Sequence, residues 1–129
     1  MLFLNAAIFE PNHTLTDNGL EIMFQVNYLS QFYLTRLLLD NLINTPQSRI
    51  IVISCESHRY ASLVEEVNFE DFLTYFRGSN LSRKDISLSK LNLPNSEFDL
   101  LQVYCNTKMC NILFSKELHR RLIKLSGGK

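Results

Sequence analysis

Apolar residues follow two patterns along this chain, one continuous and one periodic. Leu2, Phe3 and Leu4 form a short unbroken run that ends at Asn5-Ala6-Ala7, and Arg49 to Ser54 (RIIVIS) forms a second run rich in β-branched residues. Unbroken runs of this length suit strands of a parallel sheet covered on both faces. Between them, Leu20, Met23, Phe24, Leu34, Leu38 and Leu42 recur mostly at three- and four-residue steps, which predicts a long helix from about Asp17 to Ile43 with Thr16 as its cap. Ile22, Val26, Leu29, Tyr33 and Leu37 fill a neighbouring stripe, so this helix expects burial on two sides.

Strand, long helix and strand make a parallel crossover unit, and the fold class expected is α/β: part of a Rossmann-like, doubly wound sheet. A last helix is expected from about Glu97 to Leu125, with Leu100, Leu101, Tyr104, Lys108, Ile112, Phe114, Leu118 and Leu122 among its residues. Lys116, His119, Arg120, Arg121 and Lys124 gather towards its C-terminal end, where cations complement the helix dipole. Residues 60–96 are less regular. Phe69, Phe72, Leu73 and Phe76 suggest one short amphipathic helix, packed rather than membrane-facing, inside a surface insertion of a single partial domain over 1–129.

Composition narrows the function classes. At 129 residues and 46% hydrophobic content the chain is the size of one globular domain. Its formal net charge of zero leaves no basic field to recruit nucleic acid or an anionic membrane. Cys55, Cys105 and Cys110 are odd in number and contain no CxxC pair, which fits reduced thiols in the cytoplasm better than a disulfide framework. No metal site is expected: His13, His58 and His119 are dispersed, and Cys105 and Cys110, five apart, read as packing residues. The apolar start lacks the charged region of a secretion signal.

The candidate chemistry lies on the last helix. Tyr104 and Lys108 are four apart and share a helix face. An ammonium beside a phenol favours the ionised phenol, which would bring an otherwise weak acid into useful range. The ordered set around the pair is Asn5-Ala6-Ala7 at one strand end, Asn27 in the long helix, Ser54-Cys55 after the second strand, then Tyr104-Cys105-Asn106-Thr107-Lys108.

That set resembles the short-chain dehydrogenase/reductase family. The segments GLEIMFQVNYLSQFYLTRLL, RIIVISCESHRY and YCNTKMCNILFSKELHRRL are similar to its retinol-dehydrogenase-like and WW-domain-bearing members, and the likeness runs from Leu2 to Leu122 except at residues 60–96. The resemblance implies NAD or NADP as cofactor and a small alcohol/ketone pair as substrate, with Tyr104 moving the proton. It also implies that Lys108 holds the ribose hydroxyls and depresses the Tyr104 pKa, and that Asn27 holds a relay water through its side chain or a loosened carbonyl. Asn5, Ala6 and Ala7 would line the cofactor approach, and the long helices would form a homo- or hetero-dimer face.

Two departures bear on activity. Cys55 stands where the family places a serine that orients the substrate carbonyl, and a thiol is a weak donor. Ser54 is adjacent but should face the other way, whereas Ser57 could serve if the chain has left the strand by then. The four glycines, Gly19, Gly78, Gly127 and Gly128, form no spaced loop to cradle a pyrophosphate. The expectation is an oxidoreductase segment shortened at both ends and weak or silent alone, with a non-enzymatic interaction protein as the alternative.

Overall fold

The computed structural model describes residues 1–62 and 99–125. Two strands, β1 (Leu2–Leu4) and β2 (Ile50–Val52), pair in parallel with Leu2 opposite Ile50, Phe3 opposite Ile51 and Leu4 opposite Val52. The ladder is extended at both ends by Leu2 N–H to the Arg49 carbonyl, 2.8 Å, and Ile53 N–H to the Leu4 carbonyl, 3.1 Å. Between the strands runs a continuous helical segment made of α1 (Ile22–Phe24), a π-helical turn (Gln25–Leu29) and α2 (Ser30–Asn44). A 3₁₀ turn (Glu56–Tyr60) follows β2, and α3 (Leu100–Leu125) crosses behind it. This is the partial α/β arrangement the sequence implies; the amphipathic helix expected around Phe69 to Phe76 lies outside the described residues.

The helix begins later than its apolar period suggests. Asp17-Asn18-Gly19 makes a turn in which Gly19 takes φ 73°, Gly19 N–H reaches the Thr16 carbonyl at 2.7 Å, and Thr16 N–H reaches the Leu20 carbonyl at 2.8 Å. Glu21, not Thr16, is therefore the cap. Its carboxylate accepts from Met23 N–H at 3.0 Å and Phe24 N–H at 2.7 Å, satisfying amides a helix start leaves open. The Thr16 hydroxyl instead donates to the Gln25 side chain at 2.7 Å.

The buried face of the long helix is also not the purely apolar stripe expected. Met23, Phe24, Tyr28 and Phe32 are buried, and so are Asn27, Gln31 and Thr35, whereas Tyr33, Leu34, Leu37 and Leu38 are exposed. Counting apolar residues misplaces the face because three of these seven inward positions are polar, each held by at least one hydrogen bond. The core joins Leu4, Phe24, Tyr28, Phe32, Cys110 and Phe114, with Leu2, Ile50, Val52 and Leu118 packed against it. Phe32 and Phe114 meet at 5.2 Å between ring centroids, tilted by 58°, a favourable aromatic geometry. The sheet is packed on this one side; on the other, Phe3 and Ile53 face outward.

At the far end of α2, the turn Thr45-Pro46-Gln47-Ser48 leads into β2, closed by Ser48 N–H to the Thr45 carbonyl at 3.2 Å. Gln47 sits at φ 58°, a position that favours glycine. Among the described residues no helix is long and apolar enough to cross a membrane.

Candidate functional site

Polar groups collect where the C-terminal ends of β1 and β2 meet α3 and the π-helical turn. After β2 the chain leaves the strand at once: Cys55 caps the 3₁₀ turn with φ −149° and ψ 174°. Three tethers dock this stretch on α3. The Ser54 hydroxyl donates to the Lys108 carbonyl at 2.8 Å, the Asn111 amide donates to the Ile53 carbonyl at 3.1 Å, and the Gln102 amide donates to the Tyr60 carbonyl at 3.0 Å. Ser54 is thus spent on structure, its hydroxyl bonded to the backbone of α3. The early break from the strand brings Ser57 back beside Cys55.

Tyr104, Lys108 and Cys55 come together. Lys108 Nζ lies 5.1 Å from the centroid of the Tyr104 ring, over its face, a cation–π placement. Phe9 packs edge-on against the same ring at 5.1 Å. The Tyr104 hydroxyl and the side chain and backbone N–H of Ser57 interact with the Cys55 sulfur. Lys108 is 5% exposed, and no carboxylate partners its ammonium among the described residues.

The ionisation of this cluster is set by competition. Burial alone would push the Cys55 thiol up, but Ser57, the Tyr104 hydroxyl and the Lys108 charge together hold it below the ordinary thiol value. Burial first, and the Cys55 charge second, push the Tyr104 phenol above its ordinary value. Burial also lowers the Lys108 ammonium, partly offset by Cys55. The Tyr104 phenol therefore stands above its ordinary value, set by burial and Cys55 rather than by Lys108. The thiol is the stronger acid of the two, so it takes the negative charge and leaves the phenol protonated.

Asn27 lies within the π-helical turn, 0% exposed. Its carbonyl oxygen Oδ1 accepts from Ile8 N–H at 2.7 Å, and its Nδ2 donates to the Ile8 carbonyl at 3.0 Å and to the Thr107 hydroxyl at 3.3 Å. The Thr107 hydroxyl in turn donates to the Tyr104 carbonyl at 2.7 Å. The side chain of Asn27 thus links the loop after β1 to the helix that carries Tyr104. Its backbone carbonyl accepts from Gln31 Nε2 at 2.7 Å, which also reaches the Ala6 carbonyl at 2.6 Å.

Asn5, Ala6 and Ala7 are exposed at the β1 end of the same cluster. Gln31, Thr107 and Glu21 carry this scaffold although sequence reading did not single them out. A polar residue recurring on an otherwise apolar helix face, as in Asn27, Gln31 and Thr35, is the signal that could have found Gln31. Among the described residues no group of three or more His, Cys, Asp and Glu could hold a metal.

No family model matches the chain. Individual relatives do. It is 39% identical to the WW domain-containing oxidoreductase of Homo sapiens over 122 residues, covering 95% of this chain and 26% of that protein. It is 38% identical to the WW domain-containing oxidoreductase of Drosophila melanogaster over 120 residues, covering 93% and 24%. It is 35% identical to retinol dehydrogenase 13 of Mus musculus over 122 residues, covering 95% and 30%. The chain therefore spans roughly a quarter to a third of the length of the relatives it matches.

Proposed function

Since the chain belongs to the short-chain dehydrogenase/reductase family, we propose that its polar cluster is the proton-transfer half of an NAD(P)-dependent site that interconverts an alcohol and a carbonyl. The observation that supports this reading is the convergence of Tyr104, Lys108 and Cys55 at the C-terminal ends of two parallel strands, where α/β folds bind ligands. Tyr104, held protonated by burial and by Cys55, is suited to donate its hydroxyl proton to a carbonyl oxygen. Cys55 occupies the position from which a hydroxyl would orient that oxygen, and as a weak donor it orients it poorly. When bound, a nicotinamide would supply or accept the hydride.

The residues present fit part of such a cofactor. Lys108 brings a largely buried side chain whose ammonium has no carboxylate partner among the described residues, and ribose hydroxyls would supply acceptors. Asn5, Ala6 and Ala7 leave an uncovered strand end. No spaced-glycine loop for the pyrophosphate occurs within these 129 residues, so this stretch alone holds the cofactor weakly.

Carbonyl reduction linked to NAD(P)H oxidation, measured on the longest natural form of the protein, tests the reading. Tyr104→Phe should lower turnover by about 10²-fold or more, and Cys55→Ser should raise it. Turnover indifferent to Tyr104 would overturn the proposal. A second reading, a protein that associates through α2, is favoured by the exposure of Tyr33, Leu34, Leu37 and Leu38 on one side of that helix. Sedimentation of a monomer at all concentrations would overturn it.

A further inference from the structure

The proton-transfer reading uses Cys55 only as a weak donor and a neighbouring charge, and leaves its nucleophilic sulfur without a role. Cys55 is exposed, whereas Cys105 and Cys110 are buried. Its backbone is fixed to α3 by the Ser54, Asn111 and Gln102 tethers, so the sulfur is held against Tyr104 rather than swinging on a free loop. Ser57 approaches the sulfur with both its hydroxyl and its N–H. A second observation is Lys108: a side chain only 5% exposed, with its ammonium over the Tyr104 ring and no carboxylate partner among the described residues. A buried cation in that state calls for an anion beside it.

We propose that Cys55, Ser57, Tyr104 and Lys108 form a covalent binding site for α,β-unsaturated carbonyl compounds, with the Cys55 sulfur as nucleophile. The sulfur attacks the β-carbon, forming a C–S bond as the C=C π bond breaks. The electron pair moves through the α-carbon to the carbonyl oxygen, giving an enolate. The Tyr104 hydroxyl donates a hydrogen bond to that oxygen and the Lys108 charge stabilises it. Protonation at the α-carbon then completes the addition, so the thiol's proton is conserved in the product and nothing is oxidised or reduced. A soft sulfur nucleophile matches the soft β-carbon, and the ring of Phe9, 54% exposed beside Tyr104, offers an apolar wall for the substituent. The step needs no nicotinamide, so it stands apart from the carbonyl reduction proposed above.

The titratable groups near the sulfur are Tyr104, Lys108 and Cys105 from α3, and Glu56 and His58 on its own turn, where His58 Nδ1 lies 2.7 Å from the Cys55 carbonyl. The test uses the chain as it stands, with 2-hexenal and iodoacetamide as probes, glutathione as the free-thiol standard, and adduct formation at each cysteine followed by mass spectrometry. Near neutral pH, Cys55 should add 2-hexenal about 10-fold faster than glutathione does, or more. Tyr104→Phe should slow the enal reaction several-fold more than the iodoacetamide reaction, because only the enal develops an oxyanion. Lys108→Met should move the midpoint of the pH–rate profile upward. A Cys55 rate within about twofold of glutathione in the unsubstituted protein would overturn the proposal without any variant having to fold. Equal slowing of both probes by Tyr104→Phe would overturn it as well.

Discussion

The two ends of the α2–α3 pair are built on different principles. At the β-strand C-terminal end the buried side chains are polar, and they are tied to backbone: Asn27 to Ile8, Gln31 to Ala6 and Asn27, Ser54 to Lys108, Asn111 to Ile53. At the opposite end a cavity of about 580 Å³ is lined by Leu42, Ile43, Ile50, Val52, Leu118 and Leu122, and the outer side of α2 carries exposed leucines. One end is specified by directional bonds, the other by non-directional apolar contact. The lesson concerns tolerance: the first should fail when a single atom group is lost, the second should accept substitution.

The largest expected effect lies at the polar end. Asn27→Ala removes hydrogen bonds to both backbone groups of Ile8 and to Thr107, leaving buried partners unpaired. We expect a loss of about 2–3 kcal/mol in urea denaturation. A loss no greater than that of an exposed substitution would erase the contrast between the ends. At the apolar end the sign reverses: Gln47 sits at φ 58°, and Gln47→Gly should stabilise by about 1 kcal/mol because glycine relieves that conformation. The same denaturation measurement reads it. Smallest of all, Leu37→Gln on the exposed side of α2, at 60% exposure, should change stability by less than about 0.5 kcal/mol. Any effect it has should appear instead as weaker self-association in sedimentation.

The same division explains what could be read from the sequence. The run Leu2–Leu4 and the run around Ile50–Val52 announced their strands because unbroken apolar residues have few other uses. The long helix was visible by its period, but its start was not, since the competing turn at Asp17-Asn18-Gly19 and the Glu21 cap depend on local geometry. Its inward face was misjudged for a related reason: Asn27, Gln31 and Thr35 are buried through specific partners, and composition cannot show partners. At the site, spacing put Tyr104 and Lys108 on one face correctly. The order of acid strengths was hidden, because it depends on burial and on the approach of Cys55 to Tyr104, which spacing along the chain does not show.

That ordering is the centre of the account, and it can be measured without cofactor or substrate. Ultraviolet difference titration of the tyrosines, with Tyr104→Phe as the subtraction standard, follows the Tyr104 phenol directly. In the unsubstituted chain a thiolate forms first at Cys55 and holds the phenol up; Cys55→Ser removes that charge, so Tyr104 should ionise at lower pH than in the parent. A Tyr104 titration that stays in place, or moves upward, in Cys55→Ser would contradict the claim that the thiol at this position takes the charge from the tyrosine.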